Sequence, residues 1–183
     1  MKKEIIEWIK AIGFALVIFF ILNIFISTTT VYNTSMFPTL IEGDRLVLLR
    51  TQNVEKGDIV SFESDMTLSK DDIASLNLIQ RFMVNEDTKK NLIKRVIAVP
   101  GDTIEIKDGV VFVNDEIVDE PYINTVTNHD VPLTEIPQGH YFMMGDNRYV
   151  SLDSRQLGPI EGDRIIGKTA FRFFPINRIG SVK

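Results

Sequence analysis

The sequence predicts a mostly β protein: an antiparallel β-sheet or barrel-like body with a short helical insertion, carried on one N-terminal transmembrane helix. Three observations predict it. No side chain from Ala11 to Ile41 is charged, and Ala11–Ile26 is mostly Ile, Phe, Leu and Val. The remainder breaks into short β-branched and apolar runs between Gly- and Asp-containing turns, the pattern of strands joined by tight connections. Thr103–Ile106 and Val110–Val113 flank Lys107-Asp108-Gly109, a hairpin signal in which Ile104/Ile106 and Val111/Val113 share a core face.

The elements follow in order. An uncharged helix of about 20 residues crosses the ~30 Å hydrocarbon layer. Four turns without a polar face speak against a buried soluble helix. The exit Ser27-Thr28-Thr29-Thr30-Val31 has no Ala-x-Ala site, so the segment reads as an uncut anchor rather than a cleaved leader. Arg45–Arg50 and Gly57–Phe62 read as strands, as do His140–Met144 and Ile165–Phe174. Ser69-Lys70-Asp71-Asp72 before Ile73, Leu76, Ile79, Gln80 and Met83 predicts one capped amphipathic helix. Glu42-Gly43-Asp44-Arg45 recurs as Glu161-Gly162-Asp163-Arg164, which reads as shared turn chemistry built on a glycine at positive φ. Pro121–Pro137 reads as loop. The expected division is 1–30 for the N-terminus and anchor and 31–183 for the β body, with the helical insertion at about 66–86.

Composition narrows the function. The chain has 183 residues, no cysteine and two histidines, with a formal net charge of −5. Thiolate metal sites and disulfides are excluded, and dispersed histidines give no metal-ligand spacing. Lys2, Lys3 and Lys10 outnumber Glu4 and Glu7 before the anchor, so the body is acidic. That argues against a nucleic-acid surface, and the basic flank favours a cytoplasmic N-terminus.

Chemistry concentrates at three places. Ser35 lies just past the anchor in Thr34-Ser35-Met36-Phe37-Pro38-Thr39-Leu40. A serine hydroxyl needs a neighbouring base to become a nucleophile; alone, Ser35 reads as a turn residue. Lys94 is set among Leu92, Ile93 and Val96, and alternation places Leu92, Lys94 and Val96 on one strand face. A lysine at its ordinary pKa is only about 0.1% neutral near pH 7.4. Lowering that pKa by ~3 units costs about 4 kcal/mol, which burial can impose. Arg95 is the residue for solvent or an ion pair. The third place is Gly145-Asp146-Asn147-Arg148 followed by Ser151, Asp153, Ser154, Arg155 and Gly158, a loop of glycines, hydroxyls and paired charges able to hold fixed polar partners.

Ser35-Met36-x-Pro38-Thr39-Leu40, Gly57-Asp58-Ile59-Val60, Lys94-Arg95-Val96-Ile97-Ala98-x-Pro100-Gly101-Asp102 and Met144-Gly145-Asp146-Asn147-Arg148-x-x-Ser151-x-Asp153-Ser154-Arg155-x-x-Gly158 occur in that order after an anchor. The chain thereby resembles the bacterial type I signal peptidases, membrane-bound Ser/Lys endopeptidases, over nearly its whole length. The resemblance implies Ser35 as nucleophile, Lys94 as general base and Ser151 as the serine that hydrogen-bonds and orients the lysine. It implies Asp153 and Arg155 as a structural charged pair, with Asp146 and Arg148 bracing the same loop. The oxyanion site would combine the Ser35 N–H with position 33, where Asn33 replaces the family's serine; Thr34 also replaces a smaller residue. Val31, Tyr32, Met36, Leu40, Leu92 and Ile93 would line pockets for the signal peptides of exported pre-proteins, cleaved at Ala-x-Ala-type sites outside the bilayer. No metal or cofactor is implied, and the partners are signal peptides and lipid.

Two other readings use the same residues. A serine–histidine–aspartate hydrolase would draw on His129, Asp130 and His140. A membrane-tethered scaffold on a decayed peptidase fold would explain Asn33.

Overall fold

The computed structural model describes residues 1–51, 53–76, 78–85 and 87–182. Its elements are α1 (Lys2–Phe25), β1 (Ile26–Thr30), β2 (Arg45–Leu49), β3 (Ile59–Thr67), α2 (Lys70–Ser75), α3 (Leu78–Met83) and β4 (Lys89–Ala98). There follow β5 (Thr103–Lys107), β6 (Val110–Val113), β7 (Glu116–Ile117), β8 (Val131–Glu135), β9 (His140–Met144), α4 (Ser154–Leu157), β10 (Ile160–Glu161) and β11 (Ile165–Phe174). The strands form a seven-stranded sheet, ordered β1-β2-β11-β3-β4-β9-β10, and a four-stranded sheet, ordered β7-β6-β5-β8. Every strand pair is antiparallel.

Helix α1 has the length and composition to cross a bilayer and buries none of that span. It ends where the side chains become β-branched. Ile26 turns extended, and Ser-Thr-Thr-Thr continues as β1, because branching at Cβ restricts χ1 in a helix and suits a pleated strand. This moves the expected boundary at residue 30. Residues 26–30 are the first strand of the body, paired Ile26↔Leu49 through Thr30↔Arg45 with β2, and helix runs into sheet without a linker.

Three apolar clusters fill the body. Ile97, Ile104, Ile106, Val111, Val113 and Phe142 join the two sheets. Val60, Phe62, Leu92, Val96 and Met143 pack around β3, β4 and β9. Val31, Met36, Leu40, Leu46, Leu48 and Ile59 pack around β2 and the segment after β1. Strand β4 passes through the middle and is buried on both faces from Lys94 onward. The simple alternation expected of a half-buried strand therefore does not hold there.

The insertion differs from expectation. It comprises two short helices rather than one, set between β3 and β4. Ser69 caps the first with a full capping box to Asp72, and Leu76 then turns extended. Arg81 reaches back to the Ala74 and Leu76 carbonyls, supplying donors to a helix end that would otherwise lack them. The side chains of Asp71, Ile79, Gln80 and Met83 lie outside the described residues. The Pro121–Pro137 stretch also holds a strand, β8, which contains Pro132. It sits at the edge of its sheet, where a residue without an N–H is tolerated.

The two Glu-Gly-Asp-Arg turns are not equivalent. Gly43 has φ +87°, as the turn reading requires. Gly162 does not; a Cβ there would meet the Tyr141 ring at 2.9 Å and the Gly139 carbonyl at 3.0 Å, so close approach demands the glycine. Asp44 is wholly buried. Its carboxylate accepts from the Ile41 N–H at 3.0 Å, Arg172 at 3.2 Å and Arg178 at 2.9 and 3.0 Å. Both arginines also donate to the Thr39 carbonyl. Residues 31 to 44 thus form a loop closed by Val31 N–H to Asp44 O at 2.9 Å and anchored to the C-terminal segment. Replacing Asp44 with alanine leaves two arginines facing a vacated buried site and should cost about 3 kcal/mol. Urea unfolding of the full chain in detergent, followed by far-UV circular dichroism, measures it.

Candidate active site

Ser35 stands at the first turn of the closed loop. The segment after it coils back, with Phe37 N–H donating to Thr34 O at 3.0 Å and Leu40 N–H to Met36 O at 2.9 Å. Met36 and Leu40 enter the core, which fixes the backbone of Ser35. Its side chain is 6% exposed. Lys94, in mid-β4 opposite Val60, is 2% exposed, and its Nζ lies 2.9 Å from Ser35 Oγ. Residues 59 positions apart are thus joined by one buried hydrogen bond.

Burial is the largest influence on Lys94 and pulls its pKa down to about 8. Asp153 opposes that fall and Arg155 adds to it. The charges around Lys94 are paired off with one another. Arg155 grips Asp153 at 2.8 Å from both Nε and Nη2, and both groups are fully buried. Arg95 grips Asp146 at 2.9 and 2.8 Å. Desolvation raises the Asp153 carboxyl, but the hydrogen bonds and charge of Arg155 outweigh it and hold the acid below its ordinary range. Each carboxylate already has a guanidinium, so neither is free to fix a proton on Lys94. Because the folded pKa lies below the unfolded one, protonated Lys94 costs stability below about pH 8, and the cost is relieved as pH rises from there towards 10.5.

The loop after β9 is stitched to the Ser35 segment. Asn147 N–H donates to Ser35 O at 2.9 Å, Asn147 Nδ2 to Thr34 O at 3.1 Å, and Thr39 Oγ1 to Asp146 Oδ2. Gly145 permits the approach. A Cβ there would fall 2.5 Å from the Ser35 carbonyl oxygen and closer still to Ser151 Oγ. Its N–H donates to Asp153 Oδ2 at 2.9 Å.

Several expected roles are altered. Ser151 is buried beside Gly145, but the anticipated hydrogen bond to Lys94 is not formed. Its Oγ has no partner at hydrogen-bond distance among the described residues, though it lies close enough to Asp153 to help keep that acid ionised. The Gly145 approach fixes where Ser151 sits, and the lysine amine points to Ser35 instead. Asp146 braces the loop through Arg95 and Thr39. Arg148 is wholly buried and reaches away to Glu120, Thr127 and the Gly145 carbonyl. Arg95 is as buried as Lys94 and stacks over the Tyr122 ring at 3.9 Å, so the solvent option for it fails.

Asn33 accepts where it was expected to donate. Its Oδ1 receives the Ser35 N–H at 3.1 Å and the Ser35 hydroxyl at 2.8 Å. A backbone N–H offers only a donor, so the amide must turn its oxygen towards it. The side chain therefore covers the group that an oxyanion would need.

Val31, Tyr32, Asn33, Met36 and Ile93 line one groove of about 680 Å³ beside Ser35. Leu40 and Leu92 do not; they belong to two core clusters. His129 and His140 take no part. The hydrogen bonds of Ser35 Oγ go to Asn33 and Lys94, while His140 Nδ1 faces the Gln138 carbonyl at 3.1 Å. Four residues that the sequence did not single out hold the charged loop: Glu120, Tyr122, Thr127 and Asn128, the last bonded to Arg155 at 2.9 and 2.6 Å. Tyr122, Thr127 and Asn128 fall in the stretch that reads as loop and Glu120 directly precedes it, and only the clustering of polar residues opposite three arginines could have drawn attention to them. Gly145→Ala should drop turnover by roughly a hundredfold, since displacing reacting groups by about 1 Å costs that much. Far-UV circular dichroism should show the sheets retained.

Comparison with known proteins identifies the family. The family model described as signal peptidase, peptidase S26, matches residues 5–174. A signal peptidase IB of Staphylococcus aureus (strain COL) is 38% identical over 97% of this chain and 93% of its own length. A signal peptidase I of Bacillus licheniformis is 34% identical with the same coverage. A crystal structure of a signal peptidase I from Enterococcus faecalis V583 aligns with TM-score 0.45 and 24% identity, over 63% of this chain and 96% of that one. A match that begins inside α1 and runs to the last residue of β11, with relatives aligned nearly end to end, means that the chain belongs to the peptidase S26 family of signal peptidases.

Proposed function

We propose that this signal peptidase is a membrane-anchored serine endopeptidase that cuts N-terminal signal peptides from exported pre-proteins, with Ser35 as nucleophile and Lys94 as general base. One observation carries the reading: a lysine amine shut away from water stands 2.9 Å from a buried serine hydroxyl.

The neutral amine accepts the Ser35 proton once the hydroxyl turns from Asn33 to Nζ. Oγ attacks the carbonyl of the scissile bond. Asn33 Oδ1 yields to the substrate's carbonyl oxygen, which takes over the Ser35 N–H as charge develops. The Lys94 ammonium passes its proton to the departing amine. Lys94, neutral again, takes a proton from water as the water oxygen bonds to the acyl carbon. It then returns that proton to Ser35 Oγ as the C–Oγ bond breaks and the leader departs as a carboxylic acid. Asp153 and Arg155 brace the site, as do Asp146 with Arg95 and Arg148 with Glu120. Ser151 fills the space behind Gly145.

The backbone supports an extended substrate. Among the described residues no strand pairs with Lys89–Lys94 on the side where β9 later pairs, since the β9 register starts at Arg95. Val31 to Asn33 prolong the outer edge of β1. A leader lying between these open edges gains main-chain hydrogen bonds. Val31 and Met36, nearly fully buried, line the groove beside Ser35, and the proposed Ala-x-Ala preference rests on that lining. With Lys2, Lys3 and Lys10 held in the cytoplasm, α1 spans the lipid and the β body works on its outer surface.

Ser35→Ala and Lys94→Met should each abolish cleavage of a pre-protein while sparing the fold. His129→Ala with His140→Ala should leave it intact; loss of activity there would restore a histidine mechanism. The pH profile of kcat/KM reports the free enzyme's base. It should climb through an apparent pKa of about 8, with about 10% of the plateau at pH 7 and about 90% at pH 9. A rise centred near 10.5 would show Lys94 to be hydrated.

A further inference from the structure

The groove beside Ser35 does not end at the expected pocket residues. It continues to the helical insertion, whose Leu68, Leu76 and Val84 form its far wall. These side chains are only partly buried. The insertion is held in place at both ends. Leu68 N–H donates to Thr88 O at 3.0 Å, closing its base, and Asp72 in α2 pairs with Lys90 of β4 at 2.6 Å. Lys90 lies four residues before Lys94, about 13 Å along a strand. An extended chain with its reacting carbonyl at Ser35 would bring its fourth to sixth neighbouring residues against this wall.

We infer that the two-helix insertion between β3 and β4 is an extended specificity site that takes an apolar side chain of the leader, four to six residues before the cleaved bond. Two features name the occupant. Leu68, Leu76 and Val84 give the insertion end an apolar surface, rimmed by Asp72, Thr88, Lys89 and Lys90, in the same groove as Asn33, Met36 and Ile93, and the open edge of β4 leads into it. The apolar part of a signal peptide lies on the leader side of the cut, so that side supplies the residue. The inference rests on Ser35 and Lys94 being the reacting pair.

The test uses the full-length enzyme in detergent and three synthetic substrates with identical residues around the cut. One carries leucine at the fourth to sixth positions before the bond, one carries serine there, and one begins three residues before the bond. Wild type should favour the leucine over the serine leader roughly tenfold in kcat/KM, chiefly through KM, the scale of a small apolar contact. In L76S/V84S that preference should collapse towards one, with the short peptide as internal reference. Lys90→Ala, which unhooks Asp72, should weaken it in the same direction. Equal losses on all three substrates would mean structural damage and overturn the inference. So would a preserved leucine preference, or a response only to residues after the bond. If wild type cut none of the substrates, the Ser35–Lys94 reading would be what failed.

Discussion

The structure is organised around an ammonium group that has lost its water without gaining a counter-ion. Lys94 is shut into the body, and burial outweighs every charge near it. The fall from 10.5 to about 8 corresponds to about 3 kcal/mol against the protonated form. A fold can hold such a group only if its walls cannot rearrange to admit water or offer a free carboxylate. The two nearest acids, Asp146 and Asp153, are therefore committed to Arg95 and Arg155 with bidentate geometry. The result is a site rich in charge in which burial still dominates at Lys94.

That commitment needs support from several parts of the chain. Arg148 would be an unpaired buried cation without Glu120, and Asn128 accepts from the Arg155 amine that Asp153 leaves free. Arg95 has a carbonyl, a carboxylate and an aromatic face around one guanidinium. The segment 120 to 128 acts as a strap across the charged loop, and buried polar networks of this kind are stabilising only when every member is satisfied. Gly145 is the point of closest approach. It lets the loop, the Ser35 backbone and Ser151 share a space in which no methyl group fits.

Ser35 is supplied by a different part of the chain, on a segment secured by Asp44. It follows closely on α1, because that helix passes straight into the edge strand β1 and Ser35 lies five residues past the end of β1. Asn33 Oδ1 holds both the Ser35 N–H and the Ser35 hydroxyl. A backbone N–H held by a local side chain stays oriented and dry until a substrate carbonyl of equal acceptor strength displaces it.

Local sequence determined a good deal. The anchor, the β5–β6 hairpin, β9 and β11 follow from hydropathy and from β-branched runs bounded by turn residues, which act within a few positions. Ser35 and Lys94 stood out because the motifs around them occur in a fixed order. What sequence could not decide is how residues far apart meet. Nothing near Asp146 says that it will choose Arg95 over Arg148. Nothing near Asn33 says that it will present its oxygen, or near Ser151 that its hydroxyl will miss the lysine. The break between α2 and α3 depends on one arginine folding back. These choices turn on which segments core packing brings together, and only the assembled sheets decide that.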